Sequence, residues 1–232
     1  MRVLVLYCHP LDDSFNAAVH RAAVDALRAE GHEVDDCDLY AEDFDPVLRR
    51  DERLVYHDLE RNRDSVEPHV QRLLQAQALV LVFPVWSFGM PAMLKGWFDR
   101  VLVPGVSFHL DEQGRTRPGL THLRHIVGIA TYGTPRWKAW LMADPPRAAV
   151  TRFLKRLSAG RARTDYLACH HMNVAGAARR ERFLREVQAG MLADLVILDA
   201  DPLADIGNLA KVHRTIKAGV VYEPEELMRS LR

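Results

Sequence analysis

The sequence carries no surplus of charge. Its 31 Lys and Arg residues are matched by 31 Asp and Glu, so the whole-chain balance gives no electrostatic reason to expect nucleic acid or an anionic membrane surface as a partner. No apolar run approaches the roughly 20 residues that a membrane-spanning helix needs. No leader-type segment precedes "RVLVLYC", so the expectation is a cytoplasmic protein without membrane insertion. Cysteine is scarce. Cys8, Cys37 and Cys169 are an odd number without metal-ligand spacing, and they read as reduced, mostly buried thiols with no metal site. What is present is core material: 48% of the 232 residues are apolar, enough for one α/β domain or one domain with an appendage.

The chain alternates between two periodicities. "RVLVLYC" (2 to 8) is a continuous apolar run, as a strand buried on both faces requires. From Ser14 the spacing turns helical, with Val19, Ala22, Ala26 and Leu27 on one stripe and Gly31 as the stop. "EVDDCDL" (33 to 39) predicts a second strand. Residues 40 to 65 are rich in Asp, Glu and Arg without a clean period, and read as loop with a helical turn or two. "VEPHVQRLLQAQ" predicts a helix leading into "ALVLVFPV" (78 to 85), the most apolar strand. After "WSFGM", Pro91 opens the helix "AMLKGWFDRVL". A small hairpin turning at Gln113–Gly114 precedes a fourth strand, "HIVGIAT" (125 to 131). Residues 135 to 158 predict a Pro-interrupted helical region, "TDYLACHHM" (164 to 172) a fifth strand, and "GAARRERFLREVQAG" (176 to 190) a last helix. Five strands alternating with helices predict a doubly wound parallel sheet with helices on both faces.

Ligands of such sheets bind beyond the carboxyl ends of the strands. Three segments share that rim. In "HPLDDSFN" (9 to 16), a helix beginning near Ser14 leaves unpartnered N–H groups and partial positive charge at its start. Ser14, Asn16 and His9 add side-chain donors, so an anionic phosphate could be held there without glycine. Ser14 could equally be only a helix cap and His9 a polar loop residue. Asp12 and Asp13 would repel a phosphate and should point outward. In the second segment, Val85 to Gly89 can offer a flat heteroaromatic ring apolar faces and backbone donors; Trp97 and Phe98 read as packing. In the third, Thr131 and Tyr132 can donate hydrogen bonds and Gly133 allows close backbone approach.

These segments, in this order, resemble the flavodoxin-like NAD(P)H:quinone oxidoreductases. The resemblance runs from about Met1 to Gln188 and rests on "H-x4-SFN" and "FP-x3-FG-x-PA-x-LKGWFDRV". It implies a bound flavin (FAD, with FMN as the alternative), NAD(P)H as electron donor, a quinone-like acceptor and a homodimer with sites at the subunit interface. His9, Ser14, Phe15 and Asn16 match the family's phosphate-binding segment. Pro84, Val85, Trp86, Ser87, Phe88 and Gly89 match its isoalloxazine-binding loop, and Thr131, Tyr132 and Gly133 a second flavin-contacting loop. Two departures stand out. Animal members carry Gln-Trp where this chain has Trp86–Ser87. They also use a Tyr and a His after the third segment, where this chain reads "TPRWKAWLMADPP" with neither. No residue is therefore assigned a catalytic role.

Two competing readings come from other classes. Some proteins similar to this family are regulatory flavoprotein subunits of potassium-efflux transporters. A metal-dependent amidohydrolase is suggested by residues 189 to 232, which resemble the C-terminal end of imidazolonepropionase-like enzymes through "G-x-x-ADLVILD-x-DPL" and "V-x-x-x-I-K-x-G-x-V". That reading lacks a catalytic barrel, and "CHHMN" offers adjacent histidines, His170 and His171, on opposite faces of a strand. Asp194, Asp199, Asp201 and His213 are thus expected to be structural or solvated. The tail is expected to be a non-catalytic β-hairpin or appendage followed by a helical "PEELMRSL".

Overall fold

The computed structural model describes residues 1–191 and, in the tail, three strands at 195–198, 212–217 and 220–222. β1 (Arg2–Tyr7), β2 (Glu33–Asp38), β3 (Ala78–Val85), β6 (His125–Tyr132) and β7 (Arg163–Cys169) form one parallel sheet. Its order is β2-β1-β3-β6-β7. The hairpin strands β4 (Phe108–Leu110) and β5 (Thr116–Pro118) pair antiparallel, turning where Gly114 takes φ +72°. That positive φ is why glycine stands at the tip.

Strand alternation divides the core in two. Val3, Val5 and Tyr7 of β1 face α1 (Phe15–Ala29) and α8 (Ala177–Met191), packing with Val19, Val24, Phe183 and Val187. Leu4 and Leu6 face the opposite side, with Val70 and Leu73 of α3 (Glu67–Gln75) and Leu94 and Trp97 of α4 (Ala92–Val101). A strand covered by helices on both faces can be apolar at every position, which is what "VLVLY" (3 to 7) and "ALVLVFPV" are. Trp97 and Phe98 are core, as expected. All three cysteines are free and buried.

The acidic stretch 40 to 65 holds only short elements, α2 (Arg50–Leu54) and a 3₁₀ turn at Asp64–Val66. Its organisation comes from α4. A Cβ on Gly96 would lie 2.2 Å from the Pro46 carbonyl oxygen, so the loop backbone packs directly on the helix. One turn on, buried Arg100 donates to Glu52 Oε1 (2.6 and 3.0 Å), to Ser65 Oγ (3.3 Å) and to the Asp45 carbonyl.

The Pro-rich region resolves into α5 (Arg136–Leu141), α6 (Pro145–Ala148), a π-helical stretch Ala149–Leu154 and α7 (Lys155–Leu157). β7 is shorter than the strand predicted over 164 to 172. It stops at Cys169, His171 takes φ +63°, and Met172–Val174 form a 3₁₀ turn. His170 and His171 therefore lie past the strand rather than on its two faces. In the tail, where a β-hairpin or appendage was expected, β8 (Leu195–Leu198), β9 (Val212–Lys217) and β10 (Val220–Tyr222) form a three-stranded antiparallel sheet. The expected helix "PEELMRSL" lies outside the described residues, as do Asp194, Asp199 and Asp201. Among the described residues, no helix is long and apolar enough to cross a membrane.

Candidate active site

The sheet order reverses direction between β1 and β3, since β1 leads outward to β2 while β3 leads to β6 and β7. Crevices at the carboxyl ends of strands on either side of such a point are where open α/β sheets bind ligands. A cleft of about 270 Å³ opens there, lined by His9, Ser14, Phe15, Asn16, Pro84, Val85, Trp86, Thr131, Tyr132, Gly133, Met172 and Asn173. All three predicted segments converge on it. Ser87, Phe88 and Gly89 do not line it. They form the turn behind Trp86, whose N–H and carbonyl exchange hydrogen bonds with Gly89 (3.2 and 2.8 Å). Ser87 and Phe88 both take left-handed φ, 49° and 59°. Two successive non-glycine residues there cost about 1–3 kcal/mol each, a strain found at ligand-binding loops.

The first segment forms the start of α1 at the cleft. Ser14 is the N-cap of α1, its hydroxyl oxygen accepting the Ala17 N–H at 3.1 Å; the hydroxyl proton remains a donor. His9 Nδ1 lies 3.0 Å from the Leu11 N–H and 3.3 Å from the Leu11 carbonyl oxygen, which fixes the ring at the cleft and leaves Nε2 without a hydrogen-bond partner among the described residues. Asp12 and Asp13 are exposed, as phosphate binding requires. Asn16 is only 3% exposed. Its Nδ2 donates to Thr131 Oγ1 at 3.2 Å, tying the first segment to the third, while its Oδ1 is buried without a partner.

Tyr132 behaves differently from the expectation that its hydroxyl faces the ligand. The side chain is 1% exposed, its hydroxyl donating to Asp144 Oδ1 (2.6 Å) and sharing a hydrogen bond with the Tyr166 hydroxyl (2.7 Å). Burial, then the neighbouring Tyr166 and Asp144, push its ionisation far above the usual phenol range. Its ring packs on the His170 imidazole at 4.3 Å, and burial holds His170 below the ordinary imidazole value. Met172 and Asn173 were missed by sequence reasoning because 164 to 172 was read as strand throughout. The signal was available: they follow the fifth strand's carboxyl end, the same rim. A Cβ on Gly133 would lie 3.2 Å from Asn173 Oδ1, so glycine there lets the loops after β6 and β7 close together.

A parallel sheet in this order, with its cleft at the switch point, defines a flavodoxin-like α/β protein. A family model described as flavodoxin-like fold matches residues 1–189, and the chain belongs to that family. Among curated proteins it is 38% identical over 125 residues to rat NAD(P)H dehydrogenase (quinone) 1, covering 46% of this chain and 45% of that one. It is 36% identical over 136 residues to a ribosyldihydronicotinamide dehydrogenase-like protein of Penicillium crustosum, covering 51% and 50%. The chain thus spans about half the length of the curated relatives it matches. The solved structure of an NAD(P)H:quinone oxidoreductase from Methanothermobacter marburgensis superposes with a TM-score of 0.70 at 26% identity, over 82% of this chain and 97% of that one.

Proposed function

We propose that the chain is a flavin-dependent NAD(P)H:quinone oxidoreductase. The observation that carries this reading is the convergence of the three rim segments on one cleft. The anion-binding start of α1 lies at one side of it and the strained Trp86 turn at the other. In this reading His9, Ser14 and Asn16 hold the phosphate of the flavin, FAD by resemblance with FMN as the alternative. Pro84, Val85 and Trp86 would pack the ring system, and Thr131, Tyr132 and Gly133 would present backbone groups to it. The flavin, when bound, supplies hydride acceptance and donation, and the protein binds, orients and shields it. NAD(P)H and then a quinone-like acceptor would occupy the same open face in turn, in the cytoplasm.

The homodimer reading is supported by the apolar surface next to the cleft. On α5, which starts at the third rim segment, Trp137 is 61% and Trp140 77% exposed, with Leu141 and Met142 exposed beside them. An apolar patch of this kind marks an interaction surface, and a second copy of this chain would cover it.

The reading is tested by initial rates with varied NAD(P)H and a soluble quinone. Parallel double-reciprocal lines are expected, because donor must leave before acceptor binds. Intersecting lines would overturn the one-site scheme, and absence of turnover would overturn the enzyme reading.

In the proposed organisation, residues from about 189 onward are an amidohydrolase-like tail that supplies no catalytic group. α8 extends to Met191, whose side chain is in the core, so the clean cut falls after Met191 rather than at Gln188. A chain ending at Met191 is expected to keep its flavin and NAD(P)H oxidation within about twofold, since the residues that line the cleft all precede α8. A folded, dimeric truncation without activity would place part of the tail in the active site.

A further inference from the structure

We propose that Cys37, Glu42 and His69 form a zinc-binding site. Their ligand atoms all lie within 4.8 Å of one another, and none of the three lines the cleft. Cys37 Sγ is 3.6 Å from Glu42 Oε2 and 3.8 Å from His69 Nδ1. A tetrahedral zinc ion with bonds of about 2.0 Å to N and O and 2.3 Å to S separates its ligand atoms by roughly 3.3–3.7 Å. The two Cys37 distances match that spacing to within a few tenths of an ångström, and the Glu42–His69 separation, at most 4.8 Å, closes by rotation of the exposed Glu42 side chain.

Three elements preorganise the triad. Cys37 sits near the end of β2, fully buried. The turn after β2 carries Glu42 back over it: Asp38 accepts N–H groups of Tyr40 and Ala41 on its carboxylate, and that of Glu42 on its carbonyl (2.9 Å). His69 enters from α3. The Trp97 indole N–H lies 3.4 Å from His69 Nδ1, a long hydrogen bond to the same lone pair that zinc would displace on binding.

Arg72, on the same helix, contacts both Glu42 oxygens (2.8 and 2.7 Å) and Asp35 Oδ1 (2.9 and 2.7 Å). Arg2 also approaches Asp35 Oδ2 at 4.0 Å, so two guanidiniums match the two carboxylates, and loss of the thiol proton leaves one negative charge for a cation to offset. The Glu42 side chain is 35% exposed, giving an entry path and a water as fourth ligand. Thiolate and imidazole select zinc over magnesium or calcium. Sequence spacing could not reveal the triad, because its members come from a strand, a turn and a distant helix.

The test is titration of the full-length, flavin-loaded protein with cobalt(II), which reports ligand geometry at wavelengths beyond flavin absorption. Intense tetrahedral d–d bands at one equivalent, abolished by added zinc, are expected. Cys37→Ser and Glu42→Gln should each weaken binding by more than the roughly 10- to 100-fold that loss of a supporting residue costs. A weak octahedral spectrum, or a tetrahedral one unchanged in Cys37→Ser, would overturn the proposal. The wild-type spectrum decides the geometry even if the buried Cys37 variant fails to fold, and exposed Glu42→Gln then tests the assignment.

Discussion

Replacing Ser14 and Asn16 together by alanine is expected to weaken flavin affinity by roughly two to four orders of magnitude. Each lost hydrogen bond to a charged phosphate costs about 1.5–3 kcal/mol, and about 1.4 kcal/mol is tenfold in affinity. The expectation rests on Ser14 at the α1 N-terminus and Asn16, two residues further on, in the same cleft wall. Ser14 also caps the helix, so its loss should lower stability by about 1 kcal/mol regardless of ligand. The two effects separate when flavin dissociation and thermal unfolding of the flavin-free protein are measured on the same variant. Unchanged flavin affinity in a folded variant would reduce the first segment to a capped helix.

The largest effect on stability is expected from Arg100→Met. Arg100 and Glu52 are nearly buried, with side chains 9% and 13% exposed. Removing the guanidinium leaves an uncompensated carboxylate, a loss of about 3–5 kcal/mol. At about 2–4 °C per kcal/mol for a chain of this size, the melting temperature should fall by roughly 6–20 °C. The acidic loop should loosen first, since Arg100 also holds the Asp45 carbonyl and Ser65. Burial alone would raise the Glu52 pKa, but hydrogen bonds from the Arg49 N–H, Ser65 and Arg100 outweigh it and depress the value. A depressed carboxylate contributes stability that is present above its unfolded pKa and lost as pH falls through the folded one. Wild type should therefore lose this increment on acidification, and Arg100→Met should show a shallower acid limb. A double variant, Arg100→Met with Glu52→Gln, should recover much of the loss, because the stranded charge is gone. Equal melting temperatures for wild type and Arg100→Met would contradict the account of the acidic loop.

How much was legible in the sequence follows from where the information sits. The five strands and their order of appearance were readable because a doubly covered parallel sheet writes itself as short apolar runs, such as "ALVLVFPV". The rim segments were readable because they are local: each is a strand end followed by its own loop. The 40-to-65 stretch was not. Its conformation is set by Gly96 and Arg100 on α4, and no local period encodes contacts made that far along the chain. Tyr132 was misjudged for the same reason. Its hydroxyl is claimed by Asp144 and Tyr166, partners that only the folded sheet brings near. The end of β7 was overrun because "ACHHM" keeps strand-like composition past Cys169, while the left-handed turn at His171 has no glycine to announce it.

The central claim is that the cleft at the β1/β3 switch point is a flavin site. The most direct measurement is the visible absorption spectrum of the purified protein, with mass spectrometry of the cofactor released on denaturation. The account predicts a yellow protein carrying about one flavin per chain, identified as FAD or FMN by its mass. A colourless protein that takes up neither FAD nor FMN when each is added would contradict it.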